Sequence, residues 1–509
     1  MVGDHALRRR AAASWLEGLA ALRIEQLWQL AALVAPIIMT AGGPALTIDS
    51  WWGLTMGRLM VEARRPLVDA VVSFGPVAPG SVQGQWLAHV LQYGAYALGG
   101  EIGLRLAAGV VAALAFGLVM TAGRIVGGTP RTVAFGALLA VVAVANNLGL
   151  RAQLFSYAMF ALVYLLLALR HRHPRVLSAL PIVFAVWSNL HGAFLAGLLL
   201  IGLHAAVETL EVVAGRPQRW REPLGLVVVL GLSVLATSLS PLGFGVYPYI
   251  WSIASYSASK SLIPEWQQTT LQDYAGIALA ATAVVIGVTL RASRRPVSRI
   301  DVAILLAFGC FALTSQRQVV WWGLAAGPIF ARYAAAVPLP RWLAPADDRA
   351  AAAGAARRGA MNGLFATALL GLALAAPFWR PVLAAELIAP SASTLYAPRG
   401  VADTASALPE GARMFVFQPW TGYIAWRLWP HQQSLMDARF ETHPAWLWDE
   451  YQAISTVRDD WPQLLDRYRV EYLVLSVEQQ RDLAHAALEH RDWVQIYADD
   501  VGIILMKAD

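Results

Sequence analysis

Apolar residues gather along this chain into runs, mostly about 17 to 22 residues long, separated by short polar clusters in which arginine recurs. A run of that length crosses the hydrocarbon core of a bilayer as a helix. Such runs fall near residues 27–46, 103–123, 131–148, 154–170, 176–190, 192–210, 223–240, 274–291, 300–314, 319–337 and 361–380, which predicts about eleven membrane helices. The first run follows Arg8, Arg9 and Arg10, as a signal peptide would. Glu17, Arg23 and Glu25 interrupt the intervening stretch, however, and the apolar core is of full length, so a retained signal anchor is expected. The runs at 176–190 and 192–210 meet at Asn189-Leu190-His191-Gly192. One continuous helix there would invert every later assignment.

Two further regions are long enough to carry structure of their own. Residues 47–102 contain Gln85-Trp86-Leu87-Ala88-His89-Val90-Leu91, whose amphipathic pattern predicts a helix lying in the membrane interface. Beyond residue 381, short runs of β-formers alternate with amphipathic stretches such as 477–490. The β-forming runs are Met414-Phe415-Val416-Phe417, Tyr472-Leu473-Val474-Leu475 and Val501-Gly502-Ile503-Ile504-Leu505, and the alternation predicts a small α/β domain. The expected organisation is therefore an α-helical polytopic membrane domain, 1–380, followed by an α/β tail, 381–509. Residues 350–360, rich in alanine, read as a linker. No internal repeat is evident, which disfavours a transporter built on inverted repeats.

Composition agrees with the pattern: 57% of the residues are hydrophobic and 14% charged, with mean hydropathy +0.51. About a quarter charged is usual in soluble domains. The net charge of +6 comes from arginine, since Lys260 and Lys507 are the only lysines. Such an excess fits nucleic acid in principle, but its placement excludes that reading. Arg8 to Arg10, Arg124, Arg131, Arg170, Arg172, Arg175, Arg216, Arg219, Arg221, Arg291, Arg294, Arg295, Arg299, Arg341, Arg349, Arg357 and Arg358 occupy alternate loops. The opposite loops are poorer, holding mainly Arg58, Arg64, Arg65, Arg151, Lys260 and Arg317. The positive-inside rule then places the amino terminus in the cytoplasm and, after an odd number of spans, the tail outside. Cys310 is the single cysteine, so no intrachain disulfide is possible.

Ionisable groups near lipid are costly unless they face a cavity. On the outer side of the spans they converge: Asp49, Asp69, Arg151, Gln153, Asn189, His191, Glu265, Trp266 and Arg317. Asp49 follows the first span and precedes Trp51 and Trp52; it is either a helix cap beside an aromatic belt or a general base. Asp69 is either a turn residue or a second carboxylate. Arg151 and Arg317 either snorkel to headgroups or grip a phosphate with their planar forks. His191 sits at a helix break, where it is either a hydrogen-bonded structural residue or a third phosphate contact. In the tail, Asp437 and Arg439 are spaced for an ion pair. Metal-ligand spacings, phosphate-binding glycine loops and nucleophile elbows are lacking, which disfavours nucleotide hydrolysis and serine hydrolase chemistry.

Several of these segments resemble bacterial GT-C membrane glycosyltransferases. The first outer loop carries Asp49-Ser50-Trp51-Trp52-Gly53-Leu54, Gly57-Arg58, Pro66-Leu67-Val68-Asp69, Ser73-Phe74, Gln85-Trp86-Leu87 and Gly99-Gly100. Arg151-Ala152-Gln153-Leu154-Phe155-Ser156-Tyr157, Trp187-Ser188-Asn189-Leu190-His191-Gly192-Ala193-Phe194 and Ile263-Pro264-Glu265-Trp266 extend the likeness, as do Thr421-Gly422-Tyr423-Ile424-Ala425-Trp426 and Leu435-Met436-Asp437-Ala438-Arg439. That superfamily includes protein O-mannosyltransferases, lipid A aminoarabinose transferases and the catalytic subunit of oligosaccharyltransferase. The resemblance implies a polyprenyl-phosphate or polyprenyl-diphosphate sugar donor, transfer on the outer side of the inner membrane, and Asp49 as the catalytic carboxylate. Relatives of this branch tend to be acidic before Trp-Leu, where this chain has Gln85, so no second carboxylate is assigned there.

A sugar linked through phosphate needs no protonated leaving group, so one base suffices. The expected mechanism is an inverting displacement with Asp49 taking the proton of a glycan, lipid or protein acceptor, and Arg151, Arg317 and His191 stabilising the departing phosphate. Trp51, Trp52, Gln85, Gln153, Asn189, Glu265 and Trp266 are the candidate substrate contacts, with Trp321 and Trp322 as further stacking surfaces. A divalent metal is the one candidate cofactor, since Asp49 and Asp69 are hard oxygen donors of the kind it takes, but two carboxylates alone do not define a site. The competing classes are a flippase for a lipid-linked glycan, which needs charged groups on both faces, an O-antigen polymerase or ligase, which places its main loop between late spans, and a receptor or scaffold, in which Asp49 would be dispensable.

Overall fold

The computed structural model describes residues 22–43, 46–69, 71–215, 220–256, 263–338, 355–383, 397–490 and 492–508. Arg8, Arg9, Arg10, Glu17, Arg216, Arg219, Lys260, Arg341, Arg349 and the start of the 350–360 linker lie outside the described residues. Every predicted apolar run falls on a helix: α1 (Ile24–Ala41), α3 (Trp86–Ile125), α4 (Pro130–Val144), α5 (Gln153–Leu169), α6 (Leu180–Leu190), α7 (Phe194–Val213), α8 (Arg221–Thr237), α10 (Tyr274–Ala292), α11 (Arg299–Thr314), α12 (Val319–Ala334) and α13 (Ala355–Leu383). Among the described residues, six segments are long and apolar enough to cross a membrane by length and composition: Ile24–Ala41, Trp86–Ile125, Pro130–Asn147, Phe194–Val213, Tyr274–Ala292 and Gly359–Trp379. With Leu106, Val110, Ile182, Val288 and Leu306 exposed on the helix surfaces, the chain is a multi-pass membrane protein.

Small residues set the helix spacing. A β-carbon at Gly136 of α4 would lie 2.4 Å from the Gly327 carbonyl of α12, so the two backbones touch as packed membrane helices do. Helices α6 and α7 are separate, broken where His191 is extended (φ −168°, ψ 146°). Gly197 packs against Phe184 and Trp187. In one continuous helix those positions would be about 15 to 20 Å apart, so the chain reverses at the break. Arg105, fully buried in α3, donates to the Ala41 (2.9 Å) and Gly43 (3.2 Å) carbonyls and so ends α1 against α3.

The first outer region holds the expected helix and one more. The segment at Gln85 to Leu91 opens the first part of α3, which is two helices joined across a kink at Gly99 (φ −152°) and Gly100 (φ 58°, ψ −148°), the second of them running on into a span. Only glycine adopts the Gly100 conformation without strain. A further helix, α2 (Ile48–Ala63), starts at Thr47. Periodicity had not marked it, because its face is broken by Asp49, Ser50, Thr55, Arg58 and Glu62.

The tail holds a five-stranded sheet of order β2-β1-β3-β5-β4, with β1 (Arg413–Val416), β2 (Gln433–Ser434), β3 (Tyr472–Ser476), β4 (Trp493–Ala498) and β5 (Gly502–Lys507). Strands β1, β2 and β3 run parallel; β5 is antiparallel to β3 and to β4. Around the sheet lie α14 (Arg399–Ala405), α15 (Thr421–Leu428), α16 (Ala445–Ser455), α17 (Trp461–Arg467) and α18 (Arg481–Glu489). The first outer region is interlocked with it. Phe74 and Gly75 N–H donate to the Ser434 and Leu435 carbonyls (3.1 and 3.0 Å), extending the β2 edge, and α15 packs on α2 through Gly422, whose β-carbon would meet the Ile48 carbonyl at 2.6 Å.

Candidate active site

The site begins with the start of α2. Thr47 N–H donates to Ser50 Oγ (3.4 Å), and Ser50 Oγ donates to the Leu150 carbonyl (2.9 Å). That second bond ties the first turn of α2, which carries Asp49, to the turn that presents Arg151. Arg151 Nη1 lies 3.4 Å from Asp49 Oδ2 and 2.9 Å from Glu265 Oε2, so one guanidinium nitrogen holds two carboxylates. The other oxygen of Glu265 meets Arg317 Nη1 at 3.5 Å, and Arg317 Nη2 donates to Gln153 Oε1 (3.3 Å). Trp266 completes the group, its ring 4.4 Å from the Arg317 guanidinium. Asp49 is the open member: its side chain is 54% exposed, against 19% for Arg151 and 24% for Glu265.

The ionisation states follow from this geometry. Burial alone would raise the Glu265 carboxyl, but Arg151 and then Arg317 outweigh it and hold it below the ordinary range. Burial likewise works against the Arg151 charge, while Glu265 and Asp49 hold it above its usual value. His191 is pushed down to about 3 by burial and by Arg317, Arg151 and His89. It is a neutral imidazole whose Nδ1 accepts from Ala193 N–H (3.2 Å) and contacts Ser156 Oγ (3.0 Å), which itself accepts from Trp187 Nε1 (2.8 Å). Nε2 therefore carries the proton.

Asp49, Arg151, Gln153, Glu265, Trp266 and Arg317 thus form one connected group, with His191 close enough to feel both arginines. The side chains of the remaining expected residues make no hydrogen bond, ion pair or ring contact with this group among the described residues. Asp69 is exposed and makes no ion pair among the described residues. Asn189 spends both polar atoms internally, accepting from Trp86 Nε1 (2.6 Å) and donating to the Ala185 carbonyl (2.7 Å). Gln85 stands at the amino-terminal end of α3. Trp51 is buried edge-on against Tyr423 (4.8 Å), and Trp52 is buried beneath Arg439 (4.5 Å). Trp321 and Trp322 are core residues, bonded to Gln318 Oε1 (2.8 Å) and Thr282 Oγ1 (2.9 Å), and offer no stacking surface.

The tail adds what the sequence did not reveal. Asp437 and Arg439 pair as expected (2.8 Å), both buried. Two residues on, Glu441 is raised by burial and by Asp437 and Asp49, against the pull of Arg439, so a tail carboxylate lies within electrostatic reach of Asp49. Only the close run of charges hinted at it. No group of three His, Cys, Asp or Glu side chains is placed to hold a metal ion among the described residues. Beside Arg151 lies a small apolar hollow of about 30 Å³, lined by Leu91, Leu104, Ala108, Val111, Leu154 and Phe155.

No protein-family profile matches this chain, and no curated protein sequence does. Its architecture has clear counterparts: the fold is that of the GT-C membrane glycosyltransferases. ArnT from Cupriavidus metallidurans, solved bound to undecaprenyl phosphate, superposes with a TM-score of 0.54 at 16% identity, over 94% of this chain and 97% of that one. The Archaeoglobus fulgidus oligosaccharyltransferase in its apo form gives 0.51 at 12% identity, over 89% of this chain and 70% of that one. The mycobacterial arabinofuranosyltransferase AftD gives 0.52 at 15% identity, over 97% of this chain and 40% of that one.

Proposed function

We propose that this protein is an inverting glycosyltransferase of the bacterial inner membrane, which moves a sugar from a phosphate-linked polyprenyl carrier to a glycan, lipid or protein acceptor on the extracytoplasmic face. The observation that carries this reading is the Asp49–Arg151–Glu265–Arg317 cluster, set beside apolar side chains of α3 and α5. A polyprenyl chain lying against those side chains brings its phosphate to Arg151. The fold shared with ArnT, a structure bound to undecaprenyl phosphate, supports the same class of donor.

In this mechanism the acceptor oxygen attacks the anomeric carbon while the bond from that carbon to the phosphate oxygen breaks. Asp49 takes the acceptor proton; it is the exposed carboxylate of the cluster and is free to meet a substrate. Arg151 and Arg317 stabilise the charge that gathers on the leaving phosphate, as fixed cations in a water-poor cleft do best. His191, with its proton on Nε2, is a neutral donor available to the same oxygens. The tail, docked on α2, closes the acceptor side.

The test uses purified protein in lipid with a panel of radiolabelled polyprenyl-phosphate sugars and a membrane extract as acceptor source. Label transfer by wild type that disappears in Asp49→Asn, with yield and melting unchanged, is the expected result. Equal turnover in both proteins discards Asp49 as the base, and absence of turnover by wild type discards the reaction class.

A further inference from the structure

The donor must match the charge of the site that receives it. Resting on the glycosyltransferase reading above, we infer that the donor sugar is carried on a single phosphate and not on a diphosphate, and that Glu265 sets this preference by standing permanently across both site arginines.

Arg151 and Arg317 supply two positive charges, and Glu265 uses one carboxylate oxygen on each of them, at 2.9 and 3.5 Å. It is built into the site. The turn that carries it, Pro264–Trp266, is joined to the turn carrying Arg317, Gln316–Gln318, by the Gln316 N–H to Gln267 carbonyl bond (3.1 Å). Trp266 underlies the Arg317 guanidinium at 4.4 Å. Glu265 and Arg317 therefore move as one unit, and an arriving phosphate meets a pair of arginines already half neutralised.

Asp49 brings a second negative charge, but it becomes neutral as it takes the acceptor proton. What remains during transfer is one net positive charge. A sugar phosphodiester arrives with one negative charge and leaves, as the polyprenyl monoester, with one more. That gain is what the site can compensate. A diphosphate arrives with two and leaves with up to three, and excess charge in a partly buried cluster is costly. Neighbouring groups do not supply the missing charge among the described residues: Arg439 is paired with Asp437 at 2.8 Å, and His191 is a neutral imidazole.

Binding of undecaprenyl phosphate and undecaprenyl diphosphate to the full chain in lipid nanodiscs tests this directly, each measured with a chelator and with added Mg²⁺ or Mn²⁺. Wild type is expected to favour the monophosphate about tenfold or more. In Glu265→Gln the ratio should shift about tenfold toward the diphosphate, with Glu265→Ala as a second variant should the first lose yield. A wild type that prefers the diphosphate, with or without metal, overturns the inference, as does a ratio unchanged in both variants. Binding of neither lipid by wild type instead defeats the glycosyltransferase reading itself.

Discussion

At the scale of single residues, exposure separates chemistry from support. Asp49 is half exposed and makes a single 3.4 Å ion contact, a class of interaction that stabilises by about 1 kcal/mol or less. Asp49→Asn should therefore lower transfer by about 10² to 10⁴ while the melting temperature in detergent stays put. Arg105 is the opposite case. It is fully buried, it carries the end of α1, and Glu101 is its ionic partner. Arg105→Met should cost about 3 to 5 kcal/mol by leaving those groups unpaired, seen as a lower melting temperature, with activity per folded molecule retained. The core of the candidate site was legible at this scale, because Arg151, Glu265 and Arg317 are ionisable residues at span ends where lipid tolerates none without a purpose. Trp51, Trp52 and Asn189 are spent on internal contacts in this structure, and sequence does not mark that use because aromatic and amide side chains serve packing and binding equally well. Only contacts tell the two roles apart.

At the scale of elements, the seam between the tail and the first outer region is a working joint. His443 is fully buried there; its Nδ1–H donates to the Pro76 carbonyl (2.7 Å) and its Nε2 accepts from Asp437 N–H (3.0 Å). Burial lowers its pKa, partly offset by Asp437. Because the folded value lies below the unfolded value near 6.5, the unfolded chain binds the extra proton first. The stability contributed by neutral His443 is thus complete above about pH 6.5 and is lost as pH falls toward the folded value. Protection factors for hydrogen exchange at 73–78 and 434–443 should fall as pH is lowered through that window in wild type and show a flatter pH dependence in His443→Gln. Gly422 marks the second contact of the joint: a β-carbon there would meet the Ile48 carbonyl at 2.6 Å, so Gly422→Val should push α15 away from α2, lowering transfer and exposing α2 to protease. Hydropathy made the spans legible, since a greasy run of sufficient length has few alternatives. Helix α2 and strand β4 escaped because neither carries a clean period: polar residues interrupt α2, and Gln495 to Ala498 of β4 are largely exposed.

At the scale of the whole molecule, contacts divide the loops into two sets. Asp49, Arg151, Glu265 and Arg317 come from different predicted outer loops and meet in one cluster, while the tail bonds directly to the first of those loops. The loops of the other parity also meet: Arg295 Nη1 donates to the Val126 carbonyl (3.4 Å), and Arg299 approaches Glu211 (4.0 Å). A single miscounted span would have mixed the sets. The reversal between α6 and α7, the one point on which all later assignments hung, is what keeps them apart. The arginine excess predicts which set faces the cytoplasm, since the rule acts on the charge of short loops during insertion, independently of how the loops meet. Single cysteines placed in a Cys310→Ser background at the exposed positions Glu62, Asp403, Arg172 and Arg294 make the two arguments separable. In intact spheroplasts an impermeant maleimide should label 62 and 403 together and leave 172 and 294 untouched until the membrane is opened. Labelling of the second pair alone would keep the fold and turn the site to the cytoplasm, where a donor presented outside could not reach it. Labelling that split either pair would break the span count.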